Sequence, residues 1–292
     1  MRYSLSVLGS GILGALSLAA CANSPSARNL SAAQIALPAT LTVIATTDFH
    51  GALEAEETKL KNGQKISIGG PALMATYLQT LKEQTPGPFI YLDAGDLFQG
   101  SMASNLAEGE PVMRLFNYLK PDGAALGNHE FDYGPVGPKA VPREKGDDPR
   151  GALKARIAQA KFPFFAINVV NEKGQRPDYL KGSAVKELSG VRVGIIGAAD
   201  ENTPNTTNRL NLGGLKFLDP AEPVRKEAER LRREEGVQAV VLVIHLGAGC
   251  DDNRLDAQED LSSCKINDVF ELVKKLPEGL VDVVVSGHTH RG

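Results

Sequence analysis

Beyond residue 40 the chain is punctuated by short apolar runs, at residues 41–45, 89–92, 124–126, 164–170, 191–198, 237–244 and 281–285. They are dominated by Val, Ile, Leu and Ala without polar alternation, the pattern of strands covered on both faces. Segments with helical spacing lie between them. Residues 70–84 put Leu73, Met74, Tyr77, Leu78 and Leu81 on one stripe, and residues 110–119, 150–160 and 265–276 follow the same rule. Residues 219–235 carry the fullest helix signal: Asp219 as a cap, Pro220 in the first turn, Glu222 at the capping-box position, then repeated Glu/Arg pairs. Strands alternating with helices predict an α/β domain with helices laid on the sheet faces. Residues 133–151 contain Pro135, Pro138, Pro142 and Pro149 and read as a long loop.

The first 21 residues follow a different pattern. Met1-Arg2 gives a positive start, residues 3–20 are apolar or small, and the segment closes on Leu18-Ala19-Ala20-Cys21. This is the pattern of a secretory signal rather than a membrane-spanning helix. Its end resembles a bacterial lipobox, which implies lipidation at Cys21; a plain cleavable signal with an incidental cysteine is the alternative. The expected organisation is a signal peptide at 1–21, a Ser/Ala/Pro-rich tether at 22–39 and the α/β domain at 40–292. The destination is then a periplasm-facing lipoprotein. Ala22 favours the outer membrane over the inner, because it is not the aspartate that retains well-studied lipoproteins at the inner one. Export also places Cys250 and Cys264 in an oxidising compartment. They bracket a polar segment and are expected to form a disulfide rather than a thiolate metal site, since nothing nearby has zinc-finger spacing.

Composition narrows the partners. With 292 residues, 42% hydrophobic and 23% charged, the chain can bury a large core. The net charge of −3, with no Lys/Arg cluster, argues against a nucleic-acid duplex or direct attraction to an anionic membrane, leaving a lipid anchor as the membrane contact. Trp is absent and aromatics make up 5%, which argues against stacking platforms for single strands.

The chemistry collects where the apolar runs stop. All five histidines of the chain, His50, His129, His245, His288 and His290, follow such a run directly, joined by Asp48, Asp96 and Asn128. In α/β sheets the carboxyl ends of strands are where ligands gather. One histidine there is commonly structural; all five there, with carboxylates and an amide, indicate a metal centre. In Asp48-x-His50 an extended backbone is expected to turn both side chains to one face. The donors are nitrogen and oxygen only, which suits Zn²⁺, Mn²⁺ or Fe. They exceed what one four-coordinate ion needs, and a pair of divalent ions about 3.5–4 Å apart sharing Asp96 would use them.

Taken in order, Asp48-x-His50, Gly95-Asp96, Gly127-Asn128-His129-Glu130, the isolated His245 and Gly287-His288-x-His290 resemble the motif set of calcineurin-like metallophosphoesterases over residues 40–292. The longer stretch Phe131-Asp132-Tyr133-Gly134 is similar to the 5′-nucleotidase branch, which includes 2′,3′-cyclic phosphodiesterases. The resemblance implies a metallophosphatase β-sandwich flanked by helices (α-β-β-α). It assigns Asp48, His50, Asp96 and His290 to one ion and Asp96, Asn128, His245 and His288 to the other. His290 is the least secure of these, because some nucleotidases carry an amide there. His129 becomes the group beside the phosphate and the general acid, with Asp132 orienting it, while Asp93 and Glu130 are structural. The implied reaction is hydrolysis of nucleoside monophosphates, or of cyclic nucleotides or nucleotide sugars, by a hydroxide generated between two ions. In that branch further strands and a nucleotide-recognising domain follow; neither precedes Gly292, so a fragment is the preferred reading over a reduced protein. The other readings are a hydrolase of another small ester, like the sulfur-oxidation relatives, or a weakly active metal- or nucleotide-binding lipoprotein.

Overall fold

The computed structural model describes residues 40–85, 87–250, 264–266 and 268–290. The expected signal segment with Cys21 and the tether at 22–39 lie outside the described residues. No described helix is long and apolar enough to cross a membrane.

The apolar runs form two four-stranded sheets. In the first, β1 (Thr42–Thr46), β2 (Phe89–Asp93), β3 (Gly123–Ala125) and β4 (Phe164–Phe165) lie side by side in chain order and all parallel. In the second, β5 (Ser183–Leu188) pairs antiparallel with β6 (Val191–Ala199), followed by β7 (Ala239–His245) and β8 (Val283–Ser286), both parallel to β6.

The unbroken apolar runs have a direct cause. Along β7, Val241 and Val243 join Ile90, Leu92, Ala125, Phe165, Val193, Ile195 and Val285 in a core between the two sheets. Their neighbours Val240, Leu242 and Ile244 face the other way, onto Val224, Ala228 and Leu231 of α4 (Ala221–Glu234) and Val269 and Leu272 of α5 (Asp268–Lys275). The first sheet is covered on its outer face by α1 (Pro71–Gln84), α2 (Glu110–Leu119) and α3 (Gly151–Gln159) through Leu78, Phe116 and Leu153. Both faces of the strands are therefore apolar, and each fully buried Val, Ile, Leu or Phe contributes roughly 1.5–3 kcal/mol. The layering is the expected α-β-β-α sandwich.

Some details differ from the sequence expectation. Residues 164–170 are not one strand: Phe164–Phe165 belong to the first sheet, whereas Val169–Val170 pair with Lys216–Phe217 in a separate ribbon. β1 and β8 are edge strands, partly exposed, although their composition matches the interior strands. Glu222 does not reach back to cap α4; it pairs forward with Arg225 and Lys226, and Asp219 accepts the Ala221 N–H instead. A hairpin of Glu56–Lys59 and Lys65–Ile68 went unforeseen, because its strands are short, charged and mostly exposed. The antiparallel pair Gly249–Cys250 and Cys264–Ile266 sets Cys250 opposite Cys264 in backbone register; their side chains lie outside the described residues.

β2 ends on Asp93, which is completely buried, accepts from Thr46 Oγ1 at 2.6 Å and takes the Gly95 N–H at 2.8 Å. Burial pushes this carboxyl up from 3.8 to about 8, against the pull of those two donors. Between those values the folded chain holds a proton that the unfolded chain has released, so stability falls as pH rises. Thermal unfolding of wild type and Asp93→Asn at about pH 5 and about pH 9 is expected to show wild type losing stability relative to the variant at the higher pH. Parallel profiles would contradict a neutral buried Asp93.

Candidate metal centre

Because β1, β2, β3, β6, β7 and β8 end at one rim, the polar residues that follow them converge. They do so through unusual backbone. Among the described residues, eight other than Gly have positive φ, and five of them are Asp48, His50, Asp96, His288 and His290. The expected extended geometry of Asp48-x-His50 is therefore overturned. Both residues are left-handed, at φ 50° and 47°, and a tight turn rather than strand alternation aims their side chains. Such residues cost about 1–3 kcal/mol each, least for Asp and His, and persist only where surrounding contacts fix them.

Much of that fixing comes from Glu130. Buried beneath the rim, its carboxylate accepts the N–H groups of Leu97 (2.6 Å), Gly127 (2.7 Å) and Asp96 (3.0 Å). Burial, reinforced by the charge of Asp96, raises its carboxyl to about 7. The two motif loops are thereby tied to one side chain. Gly95, at φ +97°, and Gly127 make the close approach possible: a β-carbon on Gly127 would meet Asp96 N at 2.5 Å and Glu130 Oε2 at 2.8 Å.

Two sets of donors face each other across Asp96. On one side Nε2 of His50 lies 3.0 Å from Nε2 of His290, which is 3.4 Å from Asp48 Oδ1. On the other, His245 Nε2 lies 2.9 Å from Asp96 Oδ2 and 3.1 Å from His288 Nδ1. The same Asp96 oxygen is 3.8 Å from His50 Nε2. Asp48–His50–His290, His50–Asp96–His129 and Asp96–His245–His288 each gather ligand atoms closely enough to hold an ion.

The hydrogen-bond pattern fits cations. His50 Nδ1 meets the Gln99 carbonyl at 2.7 Å and His245 Nδ1 the Ala94 carbonyl at 2.8 Å, so each Nδ1 carries the hydrogen and each Nε2 turns a lone pair inward. Lone pairs facing a carboxylate repel unless a proton or a metal lies between them. Burial lowers the His245 imidazole, but its hydrogen bond to Asp96 outweighs this and lifts it to about 9; burial likewise raises Asp96, and His245 pulls it below its usual value. Asn128 supplies the clearest sign: its Nδ2 donates to the Thr206 carbonyl at 3.2 Å, while its buried Oδ1 has no partner among the described residues. A buried carbonyl oxygen without a donor is costly, and a divalent ion satisfies it.

His129 stands beside this centre, its ring 5.1 Å from that of His50. Its Nδ1 is 2.6 Å from Asp132 Oδ2, and that hydrogen bond raises its affinity for a proton. Thr207 Oγ1 donates to the other Asp132 oxygen at 2.8 Å, and Asn211 Nδ2 holds the Phe131 carbonyl at 2.8 Å. The segment that sequence reasoning passed over, the one following β6, thus supports Asn128, His129 through Asp132, and the turn between them. The signal was available: Asp200 follows an apolar run like every other site residue, but that run ends without a histidine.

The calcineurin-like phosphoesterase family profile matches residues 41–292, and the chain belongs to that family. Its members use divalent metals. A cell wall protein of Listeria monocytogenes is 31% identical over 267 residues, covering 85% of this chain and 33% of that protein. A 5′-nucleotidase of Vibrio cholerae is 27% identical over 288 residues, covering 97% and 45%. Among solved structures, the 5′-nucleotidase precursor of Thermus thermophilus superposes with a TM-score of 0.66 at 31% identity, over 86% of this chain and 42% of that one. The chain spans less than half the length of these relatives.

Replacing Gly127 with Ala drives a methyl group into Asp96 and Glu130 together. The expected result is a loss of about 1–3 kcal/mol in stability and of bound metal, measured by chemical denaturation and by elemental analysis after gel filtration. A fully metallated Gly127→Ala chain would contradict this packing.

Proposed function

We propose that the chain is an exported phosphoric ester hydrolase that uses two divalent ions, Zn²⁺, Mn²⁺ or Fe, to release phosphate from nucleoside 5′-monophosphates. The observation that carries this reading is one buried carboxylate, that of Asp96, set between two groups of imidazoles with the His129–Asp132 pair alongside. In the proposed division, Asp48, His50, Asp96 and His290 hold one ion and Asp96, Asn128, His245 and His288 the other. When bound, the ions supply charge neutralisation on the phosphoryl group and a water acidic enough to ionise near neutral pH.

The remaining chemistry belongs to the chain. His129 has its Nδ1 committed to Asp132, which leaves Nε2 to face a bound phosphate and donate a proton to the departing alkoxide. Asp132 orients the ring and favours its protonated form, and Thr207 in turn holds Asp132. The nucleotide as substrate follows the names of the Vibrio cholerae and Thermus thermophilus relatives. Export follows from the apolar N-terminus and accords with the cell wall relative from Listeria monocytogenes. Lipidation at Cys21 and a Cys250–Cys264 disulfide complete the proposal; mass spectrometry with thiol alkylation is expected to find Cys250 and Cys264 protected until reduction.

Phosphate release from AMP, a 2′,3′-cyclic nucleotide and p-nitrophenyl phosphate, with Mn²⁺ or Zn²⁺ added, tests the function. AMP is expected to be the preferred substrate; hydrolysis of the generic ester alone would contradict nucleotide specificity. His129→Ala should lose about 10²–10⁴-fold in turnover with metal content retained, whereas Asp96→Ala should empty the centre. Loss of metal from His129→Ala would overturn the division of roles.

A further inference from the structure

The connection between β6 and α4 contains no histidine, yet it reaches two of the ligands proposed for one ion. Asp200 follows β6 directly and is only 4% exposed. Its main-chain oxygen accepts from Thr203 N at 3.2 Å and Thr203 Oγ1 at 2.7 Å, and its Oδ1 accepts the Asn202 N–H at 2.8 Å. These contacts hold the turn and one carboxylate oxygen, and leave Oδ2 3.9 Å from Nε2 of His288.

The opposite nitrogen of that ring, Nδ1, is the one 3.1 Å from His245 Nε2, on the side of Asp96. A cation bound at Nδ1 takes its lone pair, and a neutral imidazole then carries its single hydrogen on Nε2. That hydrogen faces Asp200. A shift of under about 1 Å brings the pair into the usual hydrogen-bond range of roughly 2.7–3.2 Å. A few residues on, the Thr206 carbonyl holds the amide nitrogen of Asn128 and so turns its free Oδ1 away, the disposition a ligand needs. The nitrogens of His50 and His245 turned away from Asp96 meet main-chain carbonyls, whereas the outer nitrogen of His288 has a carboxylate nearest it.

We propose that Asp200 is a positioning residue for one ion of the pair: by accepting the Nε2 hydrogen of His288 it fixes and strengthens that ligand. Together with the Thr206 carbonyl, it gives the ion held by Asn128, His245 and His288 an outer support that the ion held by Asp48, His50 and His290 does not share. This inference rests on the two-ion reading above.

Calorimetric titration of the metal-stripped chain with Mn²⁺ tests both separately. Wild type is expected to take two equivalents. Asp200→Asn preserves shape but can place a donor against the Nε2 hydrogen, and Asp200→Ser keeps an acceptor for Asn202 but is too short to reach His288. Both variants are expected to bind one equivalent as wild type does and the other about 10–100-fold more weakly, with metal-free melting temperatures unchanged. Two unaltered equivalents in both variants would overturn the role of Asp200 while leaving the two-ion reading intact. Equal weakening at both sites, or a matching fall in metal-free melting temperature, would make Asp200 a general structural residue and overturn the selectivity. Failure of wild type to bind Mn²⁺, Zn²⁺ or Fe²⁺ at all would remove the two-ion reading itself.

Discussion

Everything at the strand rim depends on Asp96 being buried among imidazole lone pairs. A carboxylate withdrawn from water next to groups that also present electron pairs is unfavourable by several kcal/mol unless positive charge lies between them. His245 has no freedom to escape, since its other nitrogen is tied to the Ala94 carbonyl and its ring is completely buried. Asn128 adds a further acceptor that meets no donor among the described residues. Protonation of His245 can relieve one contact; only cations relieve the whole arrangement at once, because they answer His50, His245, His288 and Asn128 together.

The sandwich exists in a form that delivers this crowding. Parallel strands put their carboxyl ends on one rim, and buried packing on both faces holds that rim rigid. The residues that turn off the strands pay a conformational penalty in left-handed backbone, at Asp48, His50, Asp96, His288 and His290. Glu130 offsets part of it by gathering three N–H groups from two loops. Strain, close glycine contacts and a buried acid thus occur at the same place for one reason: several short donors must meet within a few ångströms from distant parts of the chain.

Much of this was legible in the sequence. The double-faced strands announced themselves as unbroken Val/Ile/Leu runs, and histidines confined to the ends of such runs marked the rim. What escaped was whatever depends on three-dimensional neighbours rather than on residue type. The edge positions of β1 and β8 are not distinguishable by composition from the interior β7. The left-handed turns at Asp48 and His50 look, in sequence, like the continuation of a strand. Asp200, Thr206 and Thr207 act through a single hydrogen bond or ion pair each, and no spacing rule connects them to His288, Asn128 and Asp132, which are up to 88 positions away along the chain. Glu130 was legible as structural only because it sits inside a motif; its three donors are a property of the fold.

The most direct test of a centre built around Asp96 is the anomalous diffraction of crystals grown with Mn²⁺, recorded at the manganese absorption edge. Two peaks about 3.5–4 Å apart, one on either side of the Asp96 carboxylate and each against its own group of imidazoles, are expected. A single peak, or peaks away from Asp96, would contradict the account.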